Sequence, residues 1–393
     1  MIKKITGTLI FTLFSILCYS QTGQLIVTKN IHLPADSLQS RLLIASMNGF
    51  LDQIVKPNKE NTFVLKNDLP ETAALLDEIR GMDSGNGPEK QGIFKCYLTN
   101  IMSLDSADYL IQFSYIGLDK SVPILRASFQ LVAKKEGGQI YFCSPLKRNT
   151  IGWKTINIGN FSFFYNAPVD LSKLKRYAKN AKTFDEKLNA PKYITQIYIC
   201  NNILDATEIL GVQYKLDYNG QPLGNFSSFT DGVSLNLAGE SYSDPAFLDI
   251  HDLWHDRLHH VVSVNIINKP VDEGCAYLYG GSWGISWRDI FKKFKTYMGT
   301  DKDWLKALNE NKNFGASHEH HLYTQYVINA LIVQQIEKKK GFGPVIELLS
   351  CGKQETNDGN YFQTLERITG INKTNFNMNI EKLVEEESMK LGE

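Results

Sequence analysis

The spacing of apolar and polar positions changes along the chain, and each change predicts a different kind of element. Residues 36–55 place Leu38, Leu42, Ile44, Phe50, Leu51 and Ile54 at helical intervals. Asp36 or Ser37 can cap this helix, and Pro57 follows it. A shorter helix is predicted over 72–81. From about 92 to 165 the period falls to two, and 108–116, 123–133 and 139–143 read as strands. In the middle strand Leu125, Ala127, Phe129, Leu131 and Ala133 share a face, while Gly117 to Lys120 and Glu136-Gly137-Gly138 suit hairpin turns. Residues 160–165 read as a strand. Asp170 then caps a helix carrying Leu171, Leu174, Ala178, Ala181 and Leu188. Two more strands are predicted at 194–200 and 233–237, and the chain after 245 reads mainly as helix. There is no internal repeat and no low-complexity segment.

Helices followed by an antiparallel sheet make an α+β layout, and this element order suggests a cone-shaped, NTF2-like domain over 21–152. A second, mostly helical domain with a small sheet is expected over 153–393. Residues 1–20 read as a secretory signal peptide: Lys3 and Lys4 form a basic start, Leu9 to Leu17 a short apolar run, and Cys18-Tyr19-Ser20 a cleavage site before Gln21. The bulky Leu17 disfavours acylation at Cys18. The protein is therefore expected to be exported, periplasmic or secreted, with no integral membrane segment after signal removal. The 42 basic and 42 acidic residues cancel, so nothing points to nucleic acid or an anionic membrane. Cys96, Cys143, Cys200, Cys275 and Cys351 are scattered, never as C-x-x-C, which argues against a disulfide scaffold or zinc knuckle.

The densest chemistry lies in HDLWHDRLHH, residues 251–260, which holds four of the chain's 8 histidines. A helix over 245–264 would start near Pro245 and bury Phe247, Leu248, Leu253, Trp254, Leu258, Val261 and Val262. His251 and His255 would share a face, with Cβ atoms about 5–6 Å apart. Two imidazoles so placed can bind one zinc ion at about 2.0–2.1 Å each. Asp252 stands where an H-E-x-x-H helix carries the Glu that acts as general base on the zinc-bound water. Histidines four apart are also common on solvated helix faces. His255 and His259 have the same spacing, so the spacing alone does not choose the pair.

Downstream, 269–284 reads KPVDEGCAYLYGGSWG. Glu273-Gly274-Cys275-Ala276-Tyr277 resembles the E-G-x-A-x-Y phrase that carries the third ligand in gluzincin, or peptidase MA-like, zinc metallopeptidases. Glu273 follows His255 by 18 residues, close to the family gap, and His259 by only 14. The resemblance implies His251, His255 and Glu273 as ligands of Zn2+, a peptide or protein substrate, and an edge strand, here Val233 to Leu237, pairing with the substrate backbone. Tyr326 to Phe342, Val345 to Leu349, and Phe362, Leu365 and Gly370 resemble the family's helical tail. His320, in the H-E-H-H stretch 318–321, falls where a Tyr or His of the later helix holds the oxyanion, with His321 and Tyr323 beside it. Asp252 departs from the family Glu and is one methylene shorter, which puts activity in doubt. A retired peptidase acting as a peptide- or protein-binding module is the competing class. Asp256 is a candidate partner for a ligand imidazole, Gly280-Gly281 reads as a helix end, and Glu385-Glu386-Glu387 reads as an exposed helix face. A Ser-His-Asp hydrolase is not expected.

Overall fold

A computed structural model describes residues 25–84, 93–104, 108–240, 247–315, 321–355 and 357–392. The signal segment, Pro245 and His320 lie outside the described residues. In chain order the elements are β1 (Ile26–Val27), α1 (Ser37–Asp52), α2 (Leu69–Ser84), β2 (Lys95–Ser103), β3 (Tyr109–Asp119), β4 (Val122–Glu136), β5 (Gln139–Cys143), α3 (Leu146–Asn149), β6 (Lys154–Ile158) and β7 (Phe161–Tyr165). They continue with α4 (Leu171–Leu188), β8 (Ile194–Ile199), α5 (Ile203–Leu210), β9 (Val212–Lys215), β10 (Asn225–Thr230) and β11 (Val233–Ala238). The remainder is helical: α6 (Ile250–His259), α7 (Lys269–Gly280), α8 (Trp287–Met298), α9 (Trp304–Glu310), α10 (Thr324–Lys340), α11 (Gly343–Leu349), α12 (Gly359–Thr369) and α13 (Phe376–Leu391). The protein is thus a mixed α and β molecule. No helix among the described residues is long and apolar enough to cross a membrane.

The chain divides into two compact units. One runs to Lys147 and resumes at Leu210–Asn219; the other comprises Arg148–Ile209 and the chain from Gly220 onward. In the first unit the sheet order is β1-β2-β3-β4-β5, with β9 also on β4. The long β4 shares one edge between two partners. Val132–Glu136 pair with β5, and Ala127–Phe129 pair antiparallel with β9. The predicted face of β4 is buried from Ala127 to Ala133, whereas Leu125 is partly exposed. In α1 the buried stripe is Leu43, Met47, Phe50 and Leu51, and Leu38 is 69% exposed, so the stripe lies one residue on from Leu42. Phe50 packs on Phe142 of β5, ring centroids 5.1 Å apart.

The second unit holds the sheet β10-β11-β8-β7-β6. β11, β8 and β7 run parallel, and β10 and β6 close the two sides antiparallel. This corrects the expected role of residues 233–237. β11 pairs on both edges and cannot add a substrate strand; β10 is the outermost strand on that side of the sheet. Asp170 caps α4 as expected, its Oδ1 accepting from the Ser172 and Lys173 amides at 2.8 and 3.3 Å. Trp254 and Leu258 of α6, Cys275 and Tyr277 of α7 and the apolar face of α10 meet in the core of this unit.

α6 is shorter than the predicted 245–264. Leu248 adopts a left-handed φ of 53°, so no helix can run through it. Asp249 then caps the start, its carboxylate accepting from the His251 amide at 3.1 Å. In the tail, Glu385 and Glu386 are exposed as expected, but Glu387 is only 2% exposed. The reason is a buried donor: Trp287 Nε1 gives Glu387 a hydrogen bond of 2.7 Å, and Lys390 pairs with it at 2.9 Å. Cys143, Cys200, Cys275 and Cys351 form no disulfide; Cys351 is partly exposed, and the other three and Cys96 are buried.

Candidate metal centre

α6 and α7 pack side by side because α7 carries glycine where they touch. A Cβ on Gly280 would stand 2.5 Å from the His251 amide nitrogen and 2.7 Å from its Cα. Farther along α7, a Cβ on Gly274 would meet the backbone of α10 at Ala330, 2.8 Å away. The Gly of the E-G-x-A-x-Y phrase is therefore a packing requirement. Gly281 ends α7 with φ 78° and turns its carbonyl back onto α6.

That carbonyl fixes the first ligand candidate. His251 Nδ1 lies 2.7 Å from Gly281 O. A carbonyl only accepts, so Nδ1 carries the proton and Nε2 of the neutral ring is bare. The second is fixed in the same way. His255 Nδ1 lies 2.9 and 3.0 Å from the two Asp272 oxygens, and its Nε2 is likewise bare when the ring is neutral. Asp272 is itself 5% exposed and held by Trp254 Nε1 at 3.0 Å. The two Nε2 atoms face each other at 3.3 Å. Glu273 Oε2 completes the triangle, 3.6 Å from His251 Nε2 and 4.0 Å from His255 Nε2.

Two bare lone pairs pointed at each other repel unless a proton or cation lies between them. The electrostatics of the triad follow from that juxtaposition. Burial acts to lower the His251 pKa, but the Glu273 hydrogen bond and the Gly281 carbonyl outweigh it and raise it above its ordinary value. Burial acts to raise Glu273, but His251 and His255 outweigh it and lower it. Zinc bonds of about 2.0–2.1 Å in a tetrahedron put ligand nitrogens about 3.3–3.4 Å apart. The observed 3.3 Å matches, and the three donor atoms all lie within 4.8 Å of one another. The donor set, two imidazoles and one carboxylate, is one that zinc accepts. Each imidazole is oriented from behind, as metal-binding histidines usually are.

His251 and Glu273 of the triad line a cavity of about 730 Å³. Asp252 is exposed and lines it beside His251, with Lys269, Tyr277, Tyr323 and Tyr326. Burial raises the Tyr326 phenol above its ordinary pKa, so its O–H stays protonated at neutral pH. His321 lines the cavity too, its Nδ1 2.9 Å from Asn313 Nδ2. His259 is exposed and its ring stacks over His255 at 6.4 Å. The structure therefore groups His255 with His251, and not with His259, around Glu273.

Two features eluded sequence reasoning. Asp272, not Asp256, supports a ligand imidazole; Asp256 faces Arg257 Nε at 3.7 Å. The available signal was an acid immediately before Glu273 on an otherwise apolar helix face. The second is the spacing G-x-S-x-G, which does occur at Gly280–Gly284. It forms no nucleophile elbow, which joins a strand to a helix. Ser282 is 6% exposed, follows a helix and opens a tight hairpin closed by Ser282 N to Ile285 O at 3.0 Å and Ile285 N to Ser282 O at 2.8 Å. Compared with models of protein families and with curated protein sequences, the chain has no match.

Proposed function

We propose that the second unit is a gluzincin-type, peptidase MA-like domain that holds one zinc ion and acts on peptide bonds of an exported protein's peptide or protein substrates. The observation that carries this reading is the pair of bare Nε2 atoms, each fixed through its Nδ1, converging with Glu273 at the wall of an open cavity. The succession of strands, α6, α7 and a helical tail supports it in element order. For the first unit, element order alone supports an NTF2-like fold.

His251, His255 and Glu273 would hold the ion. Zinc, when bound, polarises a scissile carbonyl and makes water nucleophilic near neutral pH. The Asp252 carboxylate takes the proton of the attacking water and delivers it to the leaving amine. The neutral Tyr326 phenol, with Tyr323 beside it, supplies an O–H donor to charge developing on the substrate oxygen. General-base catalysis contributes about 10²–10⁴-fold and depends on hydrogen-bond reach, and Asp252 is a methylene shorter than the usual Glu. That single departure favours the second reading, a peptide-binding module descended from a peptidase.

Metal analysis of residues 21–393 by mass spectrometry tests the first reading. About one zinc per chain is expected, and His251→Ala and Glu273→Ala should each lose it. No zinc after zinc is supplied and excess washed away would overturn it. Asp252→Glu then separates the two classes: a gain in peptide hydrolysis marks a handicapped enzyme, and zinc without detectable hydrolysis marks a binding module.

A further inference from the structure

Immediately after the Gly281 carbonyl that fixes His251, the chain makes a two-residue hairpin. Both central residues have positive φ, 53° at Trp283 and 73° at Gly284. Such a turn favours Asn or Asp followed by Gly, since these tolerate the left-handed region at low cost. A Trp at the first position is held against its backbone preference. Nor does core burial account for it. Trp254 and Trp304 are buried, whereas Trp283 is 52% exposed and lines the same cavity as His251 and Glu273. Its indole is nonetheless oriented, because Nε1 donates to His321 O at 3.3 Å.

A succession of aromatic rings runs along one part of the cavity lining. From the ligand ring of His251, Tyr277 follows at 5.9 Å, Tyr326 at 5.5 Å, Tyr323 at 5.3 Å and His321 at 6.1 Å between centroids. Trp283 is bound to the last of these residues. A flat, oriented, half-exposed indole at the end of such a wall offers a stacking surface to an aromatic side chain.

We propose that Trp283 is the specificity-determining residue of this cavity and selects peptides bearing an aromatic side chain close to His251 and Glu273. The proposal rests on the peptide-binding reading of the cavity given above. A peptide backbone beside the triad would place a neighbouring aromatic ring on the indole, and a left-handed Trp is retained for that contact.

The test uses the full mature chain carrying Asp252→Asn, so that peptide is not consumed. The probes are an acetylated and amidated hexapeptide of Ala, Gly and Ser and six derivatives with Phe at each position in turn. Binding is measured by calorimetry, with zinc content and melting temperature on the same samples. At one position Phe should tighten binding by about 3- to 10-fold, the range of an aromatic pair. Trp283→Asn should abolish that gain, Trp283→Phe should retain most of it, and Trp283→Asn should melt no lower than its parent because Asn suits the turn. A Phe preference that survives Trp283→Asn, no Phe preference at any position, or a lower melting temperature with unchanged preference would each overturn the proposal. Zinc content separates the two readings. A Trp283-dependent preference in a protein that takes up no zinc would sink the metal centre and leave this inference standing; zinc without the preference would do the reverse.

Discussion

On one side of α6, Arg257 is fully buried, its guanidinium 4.9 Å from the Phe161 and Tyr193 ring centres. It donates to the Tyr193 hydroxyl and to Thr195 Oγ1, and Asp185 and Asp256 lie 3.8 and 3.7 Å from its Nε. On the other side, two imidazoles and Glu273 converge with no Lys or Arg paired to them among the described residues. Both faces of this one short helix meet partly buried carboxylates, Asp185 and Asp256 on one and Glu273 on the other. The Arg257 face carries its own cation beside its carboxylates, although Arg257 Nε donates no hydrogen bond there and Asp185 Oδ1 accepts none. The histidine face presents lone pairs to a gap. That difference, more than the presence of histidine, separates a structural charge cluster from a binding site.

The comparison is broken most forcefully at Arg257. Arg257→Met should cost about 3–5 kcal/mol, because it removes a fully buried cation from two partly buried carboxylates, as read by urea unfolding; a loss under about 1 kcal/mol would mean that solvent reaches this cluster. Gly280→Ala comes next. Its Cβ would press on the His251 backbone at 2.5 Å, so about 1–3 kcal/mol of stability should be lost together with zinc affinity, measurable on one sample by melting and metal titration. Asp272→Asn should keep the fold but weaken zinc about 10–100-fold, the usual effect of removing a group that orients a ligand histidine. Asp256→Asn, on the Arg257 face, should leave zinc affinity unchanged in the same chelator competition. If the two behave alike, the division between the faces is wrong.

The smallest effect is expected at Asp185. Burial raises its carboxyl above the ordinary range, more than Arg257 lowers it. A carboxyl whose folded pKa is raised binds its proton more tightly when folded. Stability therefore rises as pH falls through the folded value, and the gain is complete below the unfolded value of 3.8. Asp185→Asn should remove that acid-side gain and shift stability at pH 7 by less than about 1 kcal/mol, seen in unfolding curves at pH 4 and 7.

Local signals carried far along parts of this chain. The alternation in β3 to β5 and the cap at Asp170 depend on neighbouring residues and were legible. The helical spacing offered two histidine pairs, and only the phrase around Glu273 favoured His251 with His255, the pair the structure groups with Glu273. Features made by distant contacts were not legible. Asp272 acquires its role only from Trp254 and His255 across a helix interface. The inner position of β11 depends on β10, whose residues Asn225–Thr230 lack a strong apolar alternation. Leu248 looked like a helical apolar residue, yet it takes a left-handed turn so that Asp249 can cap α6.

β9 has a consequence for anyone dividing the chain. Residues 212–215 leave the second unit's sequence to cover the β4 edge from Ala127 to Phe129. A fragment ending near 152 would lack that cover. It would expose unpaired backbone groups flanked by Ala127 and Phe129, the kind of open edge on which chains aggregate. The first unit's sequence must therefore be taken as two pieces, and during synthesis its sheet stays unfinished until roughly sixty further residues have emerged.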